Sequence, residues 1–188
     1  MIRPREGHDE VAAPPTLITK RLTLRPYRID DLEPAAAMWT DEDTYRFIGG
    51  KPRSRADIWQ QIQRSMGAWA LLGYGYWAVE ERASGRFIGE AGFLEGLRDI
   101  APSLEGYPEV GWVLSADGRG KGYASEALSA MLAWADDALP GREIRCIIEP
   151  DHAASIRIAE KAGFERLVST VLAGQPIVIF RRDPAQAG

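Results

Sequence analysis

The stretch Glu109-Val-Gly-Trp-Val-Leu-Ser-Ala-Asp-Gly-Arg-Gly-Lys-Gly-Tyr-Ala-Ser-Glu-Ala127 holds three structural signals in a row. Apolar residues run from Val110 to Leu114 as in a strand. A turn-forming segment with Gly118, Gly120 and Gly122 follows, and from Tyr123 the pattern becomes that of a long amphipathic helix. Backbone N–H groups in a glycine loop and at a helix N-terminus are unpaired donors with a dipole that favours anions. The glycines permit positive φ and close approach of the chain to an oxyanion, and Arg119 and Lys121 add positive charge. A pyrophosphate is the expected ligand of such a loop.

Two common phosphate motifs are excluded. A Walker loop needs Gly, four residues and Gly-Lys followed by Ser or Thr, whereas Lys121 is followed by Gly122. The dinucleotide pattern Gly-x-Gly-x-x-Gly fails because Gly118 and Gly120 meet Tyr123 where the third glycine is required.

At 188 residues the chain fits one domain with a substantial core. Residues 1–15 show no period and carry Pro4, Pro14 and Pro15 among charges, so they are expected to form a mobile tail, with residues 16–188 as the single domain. A formal net charge of −4 argues against direct nucleic-acid binding, which needs a basic face. No run approaches the roughly 18 apolar residues of a membrane span. The first residues carry Arg3, Arg5, Glu6, Asp9 and Glu10 where a signal peptide would be apolar, so a cytoplasmic protein without a membrane partner is expected. The single cysteine, Cys146, lies in an apolar strand and reads as core. His8 and His152 lack metal-ligand spacing, and no metal is expected.

Along the chain, Thr19 to Arg25 alternates Leu22 and Leu24 against polar neighbours as a half-buried strand does. Asp30 or Asp31 is expected to cap a helix carrying Leu32, Ala35, Ala36 and Trp39. Ser54 caps a second, with Ile58, Ile62, Met66 and Trp69 along one stripe. Tyr76 to Glu80 and Arg86 to Phe93 read as a hairpin, and Leu97 to Pro108 as a loop. After the glycine loop and its helix come a strand at Ile144 to Ile148, a short helix with Asp151 as the expected cap, and a terminal hairpin from Arg166 to Leu172 and Ile177 to Arg182.

Within this frame, Arg119-Gly-Lys-Gly-Tyr-Ala124 resembles the Arg/Gln-x-x-Gly-x-Gly/Ala acetyl-CoA signature of the GCN5-related N-acetyltransferases, the GNAT superfamily. Similar pieces are Leu17-Ile-Thr-Lys-Arg-Leu-Thr-Leu-Arg-Pro26, Ile88-Gly89, Glu109 to Leu114, and Pro150-Asp-His-Ala-Ala-Ser155 leading to Glu160-Lys-Ala-Gly-Phe164. Together they cover about residues 17 to 182 and are similar to the RimJ/RimL-like branch, which acetylates ribosomal-protein N-termini.

The resemblance implies an α/β (α+β) fold. Its central sheet would be mixed and mostly antiparallel, of about seven strands, splayed between the fourth and fifth and flanked by about four helices. It also implies acetyl-CoA as co-substrate, with the pyrophosphate on the N–H groups of Arg119, Gly120, Lys121, Gly122, Tyr123 and Ala124. Val113 and Leu114 would line the pantetheine, and Ser155 would lie near the thioester. In two places the chain departs from the family pattern. His152 stands where most members carry Asn, and Ala159 stands where many place a tyrosine as general acid.

Acetyl transfer needs a neutral amine, donors for the oxyanion and a proton for the leaving thiolate. Glu109 is the candidate base with Glu90 as its rival, the backbone N–H near Leu114 is a candidate donor to the thioester carbonyl, and Ser155 is a candidate partner for the sulfur. The acceptor would be a small-molecule amine or a protein N-terminus, and a homodimer is compatible with this reading. Tyr45, Phe47, Trp69 and Trp77 are either pocket aromatics or core. The alternative is a non-catalytic acyl-CoA-binding or sensor module of the same fold, which binds the cofactor and releases no thiol.

Overall fold

The computed structural model describes residues 13–185. Its strands are β1 (Leu17–Ile18), β2 (Leu22–Arg25), β3 (Tyr76–Glu81), β4 (Arg86–Glu95), β5 (Pro108–Leu114), β6 (Ile144–Ile148), β7 (Glu165–Leu172) and β8 (Gln175–Arg182). Its α-helices are α1 (Leu32–Met38), α2 (Glu42–Tyr45), α3 (Arg55–Leu72), α4 (Tyr123–Ala138) and α5 (Ala153–Lys161). The strands form one sheet in the order β1-β2-β3-β4-β5-β6-β8-β7. Every neighbouring pair is antiparallel except β5 and β6, which run parallel.

This is the expected mixed sheet with one more strand and one more helix. The extra strand arises because Thr19 to Arg21 turn away from the ladder toward α4, so β1 and β2 pair as separate pieces. Glu126 in the first turn of α4 holds that turn, accepting from the Thr19 hydroxyl at 2.6 Å and from the Arg21 backbone N–H at 2.8 Å. The extra helix is the single turn α2, capped by Asp41. Residues 1–12 of the expected tail lie outside the described residues, while the Pro15 carbonyl accepts from the Trp77 indole at 2.7 Å.

A bulge in β4 changes which of its residues reach each face of the sheet. Ile88 is the extra residue where β4 passes Val79 and Glu80 of β3, so the alternation of β4 shifts there. On one face Trp77, Val79, Ile88, Ala91, Phe93, Val110 and Leu114 pack against the stripe Ala127, Leu128, Met131 and Ala135 of α4. Trp69 and Trp77 belong to this core, their rings edge to face at 4.7 Å. On the other face Ala78 and the half-buried Tyr76, Phe87 and Val113 meet α1 and α3 through Ala35, Trp39, Ile58 and Ile62. The loop before β5 covers a third patch, burying Leu104 on Ile177 and Ile179 of β8.

Two expected helix caps are filled otherwise. Asp31 accepts both Arg25 guanidinium nitrogens, at 2.7 and 2.8 Å, inside the core, and a 3₁₀ turn (Ile29–Asp31) leads into α1. His152, not Asp151, caps α5, its Nδ1 accepting from the Ser155 N–H at 3.0 Å. Ser54 does cap α3, in a reciprocal box with Asp57.

Candidate active site

Glu109 opposite Arg145 is the single register pair between β5 and β6. From that pair the two parallel strands part, so the β6-facing edge of β5 has no ladder partner from Val110 to Leu114. An unpaired strand edge facing a cleft is a template for an extended ligand, whose amides can pair with the backbone as an added strand would.

At the open end of this V lies the glycine loop. Gly120 and Gly122 have φ of 74° and 77°, and no side chain caps α4 at Gly122, so the first N–H groups of that helix are left for an external acceptor. The opposite side of the loop is braced from the β1–β2 turn and from β3. Arg21 donates to the Lys121 carbonyl at 2.8 Å, and the Tyr123 hydroxyl donates to Glu81 at 2.8 Å. Lys121 stays half exposed, its Nζ 3.8 Å from Glu81. Arg119 behaves differently from a free phosphate-seeking cation. Its guanidinium donates to the Leu114 carbonyl at 3.0 Å, to the Thr44 hydroxyl at 2.7 Å and to Asp41, tying the loop to α2. That guanidinium in turn lowers the pKa of Asp41.

The α1/α3 face of β5 presents Glu109, Gly111 and Val113 in alternation, beside a buried polar network. Glu109 is 4% exposed, and its two oxygens accept from Arg98 at 2.8 and 2.9 Å. Glu90, in register with Val113, is 2% exposed. It accepts from the Tyr27 hydroxyl at 2.8 Å, the Trp39 indole at 3.2 Å and the Gln61 amide at 2.5 Å. Burial raises the Glu90 pKa even though these donors and the nearby Arg53 oppose the shift. Arg53 stacks over the Trp39 ring at 3.6 Å and donates to Gln61, so a guanidinium reaches Glu90 through one amide. Tyr76 crosses the sheet from β3 until its hydroxyl lies against Gly111.

The β6 side of the cleft is finished by α5. His152 packs edge-on against Phe47 at 4.3 Å between centroids, and burial lowers its pKa. With Nδ1 accepting, the neutral ring carries its proton on Nε2. Ser155 is half-buried one turn into α5. The segment after α1 therefore touches both walls, Asp41 and Thr44 reaching Arg119 and Phe47 reaching His152. Cys146 is buried in β6, where desolvation raises its thiol pKa, the opposite of what a nucleophile needs. Among the described residues no group of three or more His, Cys, Asp or Glu is placed to hold a metal ion, and no helix is long and apolar enough to cross a membrane.

Of the residues that the sequence points to, Glu109, Glu90 and Val113 share the α1/α3 face of the sheet, Leu114 turns into the α4 core where β5 meets the glycine loop, and Ser155 lies on α5 beyond β6. Arg98, Arg53, Tyr27, Gln61 and Tyr76 were not singled out, although Gly92 and Gly111 within strands are a signal that another group approaches closely.

A splayed parallel pair beside an uncapped glycine-loop helix suits an extended ligand with an anionic end. Residues 21–165 match the acetyltransferase (GNAT) domain family, and the chain belongs to it. It is 24% identical over 152 residues to an uncharacterized N-acetyltransferase, p20, of Bacillus licheniformis, covering 80% of this chain and 83% of that one. The acetyltransferase of Agrobacterium tumefaciens superposes with a TM-score of 0.75 at 27% identity, covering 89% of this chain and 93% of its own. The ribosomal-protein-S5-alanine acetyltransferase of Vibrio fischeri shares the fold, with a TM-score of 0.71 at 16% identity over 91% of this chain and 97% of its own.

Proposed function

We propose that this chain is a cytoplasmic enzyme of the RimJ/RimL-like branch that moves the acetyl group of acetyl-CoA onto a primary amine, by direct attack while both substrates are bound. The amine is a protein or peptide N-terminus or that of a small molecule. The observation that carries the reading is the single register pair between β5 and β6, which leaves a strand edge open beside a helix N-terminus that no side chain caps.

The thioester supplies an activated acetyl carbon, and this chain's residues do the rest. The N–H groups from Gly120 to Ala124 hold the pyrophosphate, that of Arg119 being already donated to the Ser115 carbonyl, and the free edge of β5 toward Val113 and Leu114 pairs with the pantetheine. An α-amine with pKa near ~8 is partly neutral at pH 7, so the base has little to do beyond taking the proton released on attack. Glu109 takes it. A carboxylate has about four lone-pair positions, and Arg98 fills two of those on Glu109, with no other described side chain donating to it. Glu90 has the raised pKa that suits a base, but three protein donors take three of its positions and seal it under α1 and α3. Ser155 serves the sulfur from the far wall, where Ala159 leaves no tyrosine.

Titrating the protein with acetyl-CoA and following its melting temperature tests the binding half. A native-state ligand at ~100 times its dissociation constant stabilises by about 2.7 kcal/mol. No shift at millimolar acetyl-CoA contradicts the reading, and a shift without thiol release on adding amines leaves only an acyl-CoA-binding module.

A further inference from the structure

Tyr76 lies on this face of the sheet, and its hydroxyl has no hydrogen-bond partner among the described residues. Its Cα is in register with Gly92 of β4, and Gly92 with Gly111 of β5. Strands lie about 4.8 Å apart, so Gly111 is two spacings from Tyr76, and a tyrosine laid flat across the pleat passes over β4 and ends just short of β5. Gly111 leaves room for the hydroxyl, and Gly92 lets the β3 backbone approach β4 closely. A Cβ on Gly111 would stand 2.2 Å from the Tyr76 hydroxyl oxygen, and one on Gly92 would stand 2.4 Å from the Tyr76 Cα.

The hydroxyl therefore sits on β5 between two carboxylate positions, Glu109 on one side and Val113, the register partner of Glu90, on the other. It also sits two residues beyond the pair that closes the V. No described residue accepts from it or donates to it, and every fully sealed side-chain polar atom among the described residues does have a partner, so this oxygen is not fully sealed where it lies against Gly111. A phenylalanine would fill the same space, so what the hydroxyl adds at this point of β5 is one hydrogen-bond donor that no described residue uses.

We propose that the Tyr76 hydroxyl donates a hydrogen bond to the acetyl carbonyl oxygen and stabilises the negative charge that develops there. The proposal rests on the acetyl-transfer reading above. An extended thioester entering the V from the glycine loop has its acyl end at the closed end, where Gly111 lies. When the amine nitrogen bonds to the carbonyl carbon, an electron pair moves onto oxygen and the amine proton passes to Glu109 and then to water. The pair then returns, the C–S bond breaks, and the thiolate takes a proton from water. Tyr76 keeps its own proton throughout. Burial and the two neighbouring carboxylates push its pKa well above the ordinary phenol value, which suits a donor that must not ionise.

The test is Tyr76→Phe, assayed by thiol release and by acetyl-CoA titration. Loss of one oxyanion donor lowers kcat about a hundredfold. The expected result is that loss, with the acetyl-CoA Kd and the melting temperature as in the wild type. Gly111→Ala supplies a second route, because its methyl group displaces the same hydroxyl; it should lower kcat in the wild type and add little to Tyr76→Phe. A kcat for Tyr76→Phe within about twofold of a working wild type overturns this proposal and leaves acetyl transfer standing. A wild type that binds acetyl-CoA and transfers to no amine overturns both.

Discussion

Arg98 closes on Glu109 through two parallel hydrogen bonds, at 2.8 and 2.9 Å, at the point where β5 and β6 part. The guanidinium comes from the loop before β5 and is about one-third exposed, whereas the carboxylate is almost wholly buried. The pair fixes the orientation of the carboxylate at the closed end of the cleft. It also separates the roles of the two acids on this face, since Glu90 accepts from neutral donors, and Arg53 acts on it across space and through Gln61 without a direct hydrogen bond.

Glu109→Gln and Glu90→Gln divide those roles. The first should lower kcat at saturating acetyl-CoA by about 10²- to 10⁴-fold, the usual share of a general base, with the acetyl-CoA Kd unchanged. The second should change the melting temperature more than kcat. Steady-state thiol release at several amine concentrations, beside cofactor titration, reads both, and the opposite ranking in kcat would assign the base to Glu90.

The raised pKa of Glu90 makes stability depend on pH with a definite sign. The folded protein holds that proton above the ordinary glutamate value of 4.5, so the unfolded chain releases it first as pH rises. Stability from this group is fully present below about pH 4.5 and is lost as pH climbs through the folded value. Subtracting the Glu90→Gln melting curve from that of the wild type should give a difference that falls from pH 4.5 toward neutrality. A flat difference would mean that the carboxyl is not perturbed.

Gly122→Glu should abolish the melting-temperature gain from acetyl-CoA. The residue has φ of 77°, and the new carboxylate would stand at the helix N-terminus where the pyrophosphate is proposed to bind. The unliganded protein should lose roughly 1–3 kcal/mol from backbone strain alone. A variant that folds and keeps the wild-type shift would move the cofactor elsewhere.

Asp31→Ala tests the fold apart from the chemistry. Asp31 and Arg25 are 3% and 6% exposed, so removing the acid strands a buried guanidinium that Glu80 satisfies only in part. Breaking a buried pair in this way costs about 3 kcal/mol, or on the order of 10 °C in Tm for a domain of this size. Thermal unfolding with and without acetyl-CoA should show the loss in both.

Ser155→Ala should lower kcat with little effect on acetyl-CoA affinity if the hydroxyl serves the sulfur, because the main-chain bond from Ser155 to His152 survives the change. Full activity in this variant would reduce Ser155 to a helix residue.

The sequence made the frame legible wherever a period ran long enough. The α4 stripe, the Ser54 cap and the strand before the glycine loop all follow from spacing and residue type. Short or many-bodied features were hidden. Helix α2 has four residues, fewer than any period can show, yet it receives Arg119. Asp31 reads as a helix cap until Arg25 is seen beside it, since no local rule reports an ion pair formed between a strand and a turn. Arg98 sits in a stretch that reads as an ordinary charged loop, and its pairing with Glu109 depends on how that loop returns to β5. Tyr76 was legible only through Gly111, which makes room for its hydroxyl.

The measurement that bears most directly on the cleft between β5 and β6 is release of free thiol from acetyl-CoA by the wild-type protein, with and without primary amines that include a peptide with a free N-terminus. The account predicts amine-dependent thiol release with an acetylated amine as the matching product. Acetyl-CoA that binds and is never consumed, whatever amine is supplied, would contradict it.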